Sequence, residues 1–251
     1  MTGPSVSVVI PALNEEDTVA EVVASVRAGS QAVAEILVID ADSTDETAAR
    51  ASAAGARVLN WREILPQVPT RPGKGESLWR GVAAARGEVV VFIDADLRHP
   101  DPSIVERLVA PFDNERVALV KASYRRGFEG RPTGGGRVTE LTAKPLLAAL
   151  YPELARLDQP LAGEYAIRRE VASRLPFVGG YGVEVGLLID VYLTAGMGAI
   201  TQVPLPDKAH RNRPLEELRP MAEVIAATIL GRAGVASALA IQQRPPLAEV
   251  R

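Results

Sequence analysis

Short apolar runs punctuate the first hundred residues: VSVVI at 6–10, EILVID at 35–40, ARVL at 56–59 and EVVVFID at 88–94. Consecutive positions are apolar, so both faces of such strands need cover, as in a parallel sheet. Helix patterns lie between the runs. Val19, Val22, Val23 and Val26 recur at helical spacing, with Asn14 placed to cap them. An alanine-rich stretch follows Ser43 and Thr44, either of which can cap it, and residues 74–85 read as a third helix. Strands alternating with helices predict an α/β fold, a mostly parallel central sheet flanked by helices.

In open α/β sheets, ligands bind beyond the carboxyl ends of the strands. Three of the four runs deliver polar residues there: Asn14 and Glu15, then Asp40 and Asp42, then Asp94 and Asp96. The second half is less regular. Residues 117–123, 164–167 and 199–203 read as strands, and 183–195 as a buried helix. The Gly- and Arg-rich stretch 124–137 reads as a loop, and 138–150 as helical apart from Pro145. Residues 215–240 form one long helix or two, broken near Pro220 or at 231–234, and the tail QQRPPLAEVR is expected to be disordered. The expected division is a main domain at 1–214, in two halves at 1–97 and 98–214, and a helical extension with a tail at 215–251.

Composition removes several function classes. The chain has 251 residues, a net charge of −3 and no cysteine. An acidic balance argues against a general nucleic-acid binder. Disulfides, thiolate metal sites and a cysteine nucleophile are excluded, while an oxygen-ligated Mg²⁺ or Mn²⁺ remains open. The first residues lack a basic region followed by a long apolar stretch, and no run suits a membrane span, so a cytoplasmic location without membrane partners is expected.

The sharpest local signal is Asp94-Ala95-Asp96, directly after VVVFI. Two carboxylates one residue apart at a strand end can offer oxygens to a divalent cation that also binds phosphate oxygens. Alone, such a pair also describes a solvated turn. Lys74 lies between Gly73 and Gly75 at a helix start, where flexible backbone lets an ammonium approach an anion. The phosphate-binding pattern G-x-x-x-x-G-K-[ST] is absent. Gly136-Arg137-Val138-Thr139 opens a helix pattern. Its N–H groups and the Arg137 fork suit a phosphate.

The segments VSVVIPALNEE and ILVIDADSTDET, the GKG triplet and the Asp94–Asp96 pair, in this order, resemble the nucleotide-sugar-binding half of GT-A glycosyltransferases. With GRVTELT from 136, QPLAGE from 159, GYGVEVG from 180 and AHRNRP from 209, the chain resembles the actinobacterial glucosyl-3-phosphoglycerate synthases, retaining GT-A enzymes. The resemblance covers residues 5 to about 214 and implies that 1–214 is a catalytic domain, with 1–97 its nucleotide-sugar half and 98–214 its acceptor half.

That resemblance implies the following roles. Pro11, Ala12, Leu13, Glu15 and the turn holding Asp42 and Ser43 surround the base and ribose. Lys74 contacts the donor nucleotide. Asp94 sits on the ribose side, with Ala95 between it and the metal ligand Asp96. His210 is a further metal ligand. Gly136, Arg137, Val138 and Thr139 bind the phosphate of 3-phosphoglycerate, with Asn212 near the acceptor. Leu161, Tyr181 and Glu184 line the sugar pocket, Glu184 accepting from sugar hydroxyls. The implied activity is metal-dependent, retaining transfer of glucose from UDP-glucose to the 2-hydroxyl of 3-phosphoglycerate by a homodimer.

Three alternatives stay open at this level. One is the mannosyl reaction with GDP-mannose. Another is an inverting transferase acting on a lipid phosphate. The third is a non-catalytic sugar-nucleotide binding protein.

Overall fold

The structure is a computed structural model that describes residues 3–125, 127–128, 131–134, 136–206 and 214–250. Strands β1 (Val6–Ala12), β2 (Val33–Asp40), β3 (Arg57–Asn60) and β4 (Val89–Phe92) alternate with helices α1 (Val19–Gly29), α2 (Thr47–Ala53) and α3 (Lys74–Ala84). Then come α4 (Ile104–Val109), β5 (Leu119–Ser123) and a small hairpin, β6 (Gly127–Phe128) and β7 (Arg131–Gly134). A π-helical turn (Thr139–Ala143) leads into α5 (Lys144–Leu150), followed by β8 (Tyr165–Arg168), α6 (Arg169–Ser173) and β9 (Phe177–Val178). The chain continues through α7 (Val183–Ala195), β10 (Ile200–Pro204), α8 (Leu215–Arg232) and β11 (Gln243–Arg244).

The main sheet has the order β10-β5-β8-β4-β1-β2-β3. Its pairings are parallel except at β8, which runs antiparallel to both β4 and β5. The excursion between β5 and β8 leaves and re-enters at the same end of the sheet, so β8 runs back against its neighbours. The expected mostly parallel sheet is therefore present, with one reversed strand.

Alternation along each strand feeds two cores. Val9, Leu37, Ile39 and Phe92 face the layer holding α3, α5, α7 and α8. Val8, Ile10, Val38 and Val91 face the layer of α1, α2 and α4. Val19, Val22, Val23 and Val26 on α1 are buried against that second core, as their spacing predicts. Each such side chain contributes roughly 1.5–3 kcal/mol on burial.

Several local expectations change. Asn14 does not cap α1, which begins at Val19. Ser43 and Thr44 do not cap α2; the Thr47 N–H donates to Asp45 Oδ1 at 3.0 Å instead. Asn14, Ser43 and Thr44 are engaged with one another across the two loops. Pro145 lies within one continuous helical run from 137 to 150, just after its π-helical turn, where the wider turn accommodates the missing N–H. Helix α8 runs through Pro220 and stops at the glycines, with Gly234 at a φ of 72°. The tail is ordered: β11 pairs antiparallel with β9, and Arg244 is buried. The tail reads as disordered because its polar, proline-rich composition hides one arginine with a buried carboxylate partner. No described helix is long and apolar enough to cross a membrane.

Candidate active site

The carboxyl ends of β1 and β2 carry two loops that lock together. The Asn14 N–H donates to Ser43 Oγ at 3.0 Å, and the Thr44 N–H donates back to Asn14 Oδ1 at 2.9 Å. The Glu15 N–H donates to Thr47 Oγ1 at 2.8 Å. Asn14 and Asp42 adopt left-handed backbone, at φ 56° and 65°. Asn and Asp tolerate that region better than other side chains. Pro11 and Ala12 end β1 at this rim, and Leu13 is 54% exposed beside them.

Asp42 is held from the β3 side. Arg62 Nε donates to it at 2.8 and 3.1 Å, and Asn60 Nδ2 at 3.0 Å. The hydrogen bonds from Arg62, then that from Asn60, hold its carboxyl well below the usual carboxylate range. Arg62 and Asn60 were not singled out in the sequence. The β2–β3 register sets Asn60 opposite Asp40, and the left-handed turn at Asp42 completes the approach.

Lys74 occupies the first position of α3. Gly73 has a φ of 114°, which favours glycine. A Cβ on Gly73 would press on Gly180 N, and one on Gly75 would overlap the Val178 carbonyl. The two glycines thus let the start of α3 touch the segment that leads into α7. Glu184 lies in the first turn of α7, where the helix dipole favours a carboxylate. As a result Lys74 Nζ reaches Asp94 Oδ1 at 2.5 Å and Glu184 Oε1 at 2.7 Å. Burial alone would lower the Lys74 pKa, but the two carboxylates outweigh it and raise it well above the ordinary lysine value.

Segment 161–164 closes the site beside Asp94. A Cβ on Gly163 would overlap the Asp94 carboxylate, so this glycine permits the close approach. Leu161 is half-buried against the core and Ala162 fully buried. Beneath them lies Lys121 on β5, fully buried, its Nζ donating to the Ala162 carbonyl at 2.7 Å. The ammonium also sits 4.4 Å from the centroid of the Tyr165 ring. Burial pushes the Lys121 pKa down to about 7, partly offset by Glu184. Nothing in the spacing of β5 distinguishes Lys121 from an exposed lysine, so the sequence reading missed it.

Asp96 is exposed at the rim, two residues beyond Asp94, and Ala95 is buried between them. Tyr181, 39% exposed, stands just before Glu184. Gly136, at a φ of 70°, accepts from the Glu140 N–H, and Arg137, Val138 and Thr139 lead into the π-helical turn. His210 and Asn212 lie outside the described residues. An exposed carboxylate at a strand end suits a hard divalent cation that takes its remaining oxygens from a diphosphate and water. Among the described residues no group of three or more His, Cys, Asp or Glu gathers into an all-protein metal cage.

Residues 7–171 match the family model described as glycosyl transferase family 2. A glucosyl-3-phosphoglycerate synthase of Mycolicibacterium paratuberculosis is 52% identical over 242 residues, covering 93% of this chain and 74% of that protein. One of Petrotoga mobilis is 41% identical over 236 residues, covering 90% and 73%. The glucosyl-3-phosphoglycerate synthase of Mycobacterium tuberculosis, solved with Mn²⁺, UDP-glucose and phosphoglyceric acid, superposes with a TM-score of 0.92 at 48% identity, covering 99% and 92% of the two chains. The strand ends, the Asp94–Asp96 pair and the Lys74–Glu184 contact thus sit in a shared GT-A frame, and the chain belongs to glycosyl transferase family 2, within it to the glucosyl-3-phosphoglycerate synthases.

Proposed function

We propose that this chain transfers glucose from UDP-glucose to the 2-hydroxyl of 3-phosphoglycerate, with retention and with Mg²⁺ or Mn²⁺. The carrying observation is the Lys74 ammonium bridging Asp94 and Glu184 at the sheet's carboxyl edge, in a chain so similar to that M. tuberculosis complex. The rim of Pro11, Ala12, Leu13, Glu15, Asp42 and Ser43 takes the nucleoside. Asp94 faces the ribose. Asp96 and His210 would hold the metal, which would supply a positive charge to offset that of the departing diphosphate. Lys74, held between Asp94 and Glu184, contacts the donor nucleotide.

Leu161, Tyr181 and Glu184 surround the sugar. Glu184 is ion-paired with Lys74, which favours a hydrogen-bond acceptor for sugar hydroxyls over a nucleophile. Gly136, Arg137, Val138 and Thr139 bind the acceptor phosphate, with Asn212 beside it. The bond from the anomeric carbon to the diphosphate oxygen breaks as that to the 2-hydroxyl oxygen forms on the same face. The hydroxyl proton passes to a diphosphate oxygen of the leaving UDP. A homodimer in the cytoplasm, and the division at residues 97 and 214, complete the proposal; Leu141, 74% exposed beside the acceptor turn, supports a covering partner there.

Nucleotide release measured with UDP-glucose and with GDP-mannose, each with 3-phosphoglycerate and Mg²⁺ or Mn²⁺, tests it. UDP release that requires 3-phosphoglycerate is the expected result. GDP release would move the chain to the mannosyl reaction. Silence with both would refute the acceptor.

A further inference from the structure

Behind the site, the C-terminal strand contacts both of the elements that bring Lys74 and Glu184 together. Arg244 on β11 is buried and donates to both oxygens of the buried Glu76, at 2.6 Å from Nε and 2.8 Å from Nη2. Glu76 lies in the first turn of α3, two residues after Lys74. The same Arg244 also donates to the Pro69 carbonyl. Arg80 donates to Glu76 Oε1 at 2.7 Å and to carbonyls at 64, 65 and 68. Trp79 completes the joint: its indole N–H donates to the Pro245 carbonyl at 3.0 Å, and the Arg244 guanidinium lies 5.2 Å from its ring centroid.

The strand's second contact is with the approach to α7. β11 pairs with β9, and the Gly179 N–H donates to the Gln242 carbonyl at 2.7 Å. The Val178 carbonyl and Gly180 backbone are the atoms against which Gly75 and Gly73 pack. One strand therefore fixes the first turn of α3 and the turn before Glu184 relative to each other.

We propose that Arg244 is a positioning residue of the donor site, setting through Glu76 where Lys74 stands against Glu184 and Asp94. This rests on the reading of Lys74 as a contact of the donor nucleotide. A purely structural arginine would lower thermal stability and leave ligand binding by the folded protein untouched. A positioning arginine alters binding, and does so only while Lys74 is present to be positioned.

The test is calorimetric titration of UDP in the presence of Mn²⁺, well below the melting temperature. Arg244→Met should weaken UDP binding at least fivefold, Arg244→Lys should recover part of the loss, and the KM for 3-phosphoglycerate should stay within twofold. In a Lys74→Ala background the same Arg244→Met change should cost less than twofold. Equal losses in both backgrounds, or unchanged UDP affinity with a lowered Tm, would overturn the proposal. If Arg244→Met does not fold, Trp79→Phe loosens the same strand by removing the bond to Pro245. A two- to threefold loss that disappears with Lys74→Ala is then expected, and no loss would overturn the idea. UDP binding is read without turnover, so a wrong acceptor removes only the KM comparison and leaves the binding test intact; a wild-type chain that binds no UDP would remove both the donor reading and the proposal.

Discussion

The Lys74 ammonium stands 2.7 Å from Glu184 Oε1, although 110 residues of chain separate them, and it holds Asp94 Oδ1 at the same time. Removing it leaves two carboxylates facing each other with no cation between. Breaking such a partly buried arrangement costs about 3–5 kcal/mol at the dry limit. Lys74→Ala should lower kcat/KM for UDP-glucose at least a hundredfold in steady-state assays. A loss under threefold would remove Lys74 from the site.

Lys121 predicts an unusual dependence of stability on pH. Its folded pKa is depressed to about 7 from 10.5 by burial. Between those values the unfolded chain binds a proton that the native chain does not, so stability rises with pH. From pH 7 to 9 the gain is about 2 kcal/mol, or roughly 4–8 °C in Tm. Lys121→Met should flatten this rise in thermal melts. An equal rise in the variant would show that another group titrates.

Asp42 and Arg62 lie at the rim, both partly exposed, so their pairing adds little to stability. Its effect should appear in donor binding. Arg62→Ala should raise the KM for UDP-glucose about three- to tenfold while moving Tm by less than about 2 °C. Unchanged KM would mean that Asp42 is oriented without its arginine.

Asp96→Ala should abolish the response of turnover to Mg²⁺ and Mn²⁺ titration. Asp96→Ala should not change Tm by more than about 2 °C, because the residue is exposed. Retained activity with the same metal dependence would place the ion elsewhere.

Gly163→Ala puts a methyl group into the Asp94 carboxylate. Overpacking of this kind typically costs about 1–3 kcal/mol. A drop in kcat of tenfold or more is expected, measured beside the melting temperature. Wild-type kinetics would mean that Asp94 has room to move.

Legibility from the sequence followed the range of the interactions. The valines of α1 and the apolar strands declare their faces by spacing alone, and they lie where that spacing puts them. The loop after β1 and the loop after β2 were marked by their polar residues, but Asn14, Ser43 and Thr44 bind each other instead of starting helices. The reversal of β8 is not encoded in its four residues; it follows from where a forty-residue excursion returns. Lys121 and Arg244 were invisible for one reason. A lysine in a strand or an arginine in a proline-rich tail looks solvated until a carbonyl, a ring or a carboxylate from far along the chain meets it.

Arg244 and Glu76 are 168 residues apart, so helix α3 reaches its final anchorage only when nearly all of the described chain has been synthesised. Domains fold from the N-terminal end as they emerge, and the strands through β4 can pair while later residues are still unmade. During that interval Glu76 has Arg80 but lacks its second guanidinium, and β9 lacks its partner strand. Closing so long a loop adds little entropy over a shorter one, about 0.6 kcal/mol for each doubling of length. A finished donor site thus waits on residue 244, and a chain truncated before it should fold a sheet without acquiring that site.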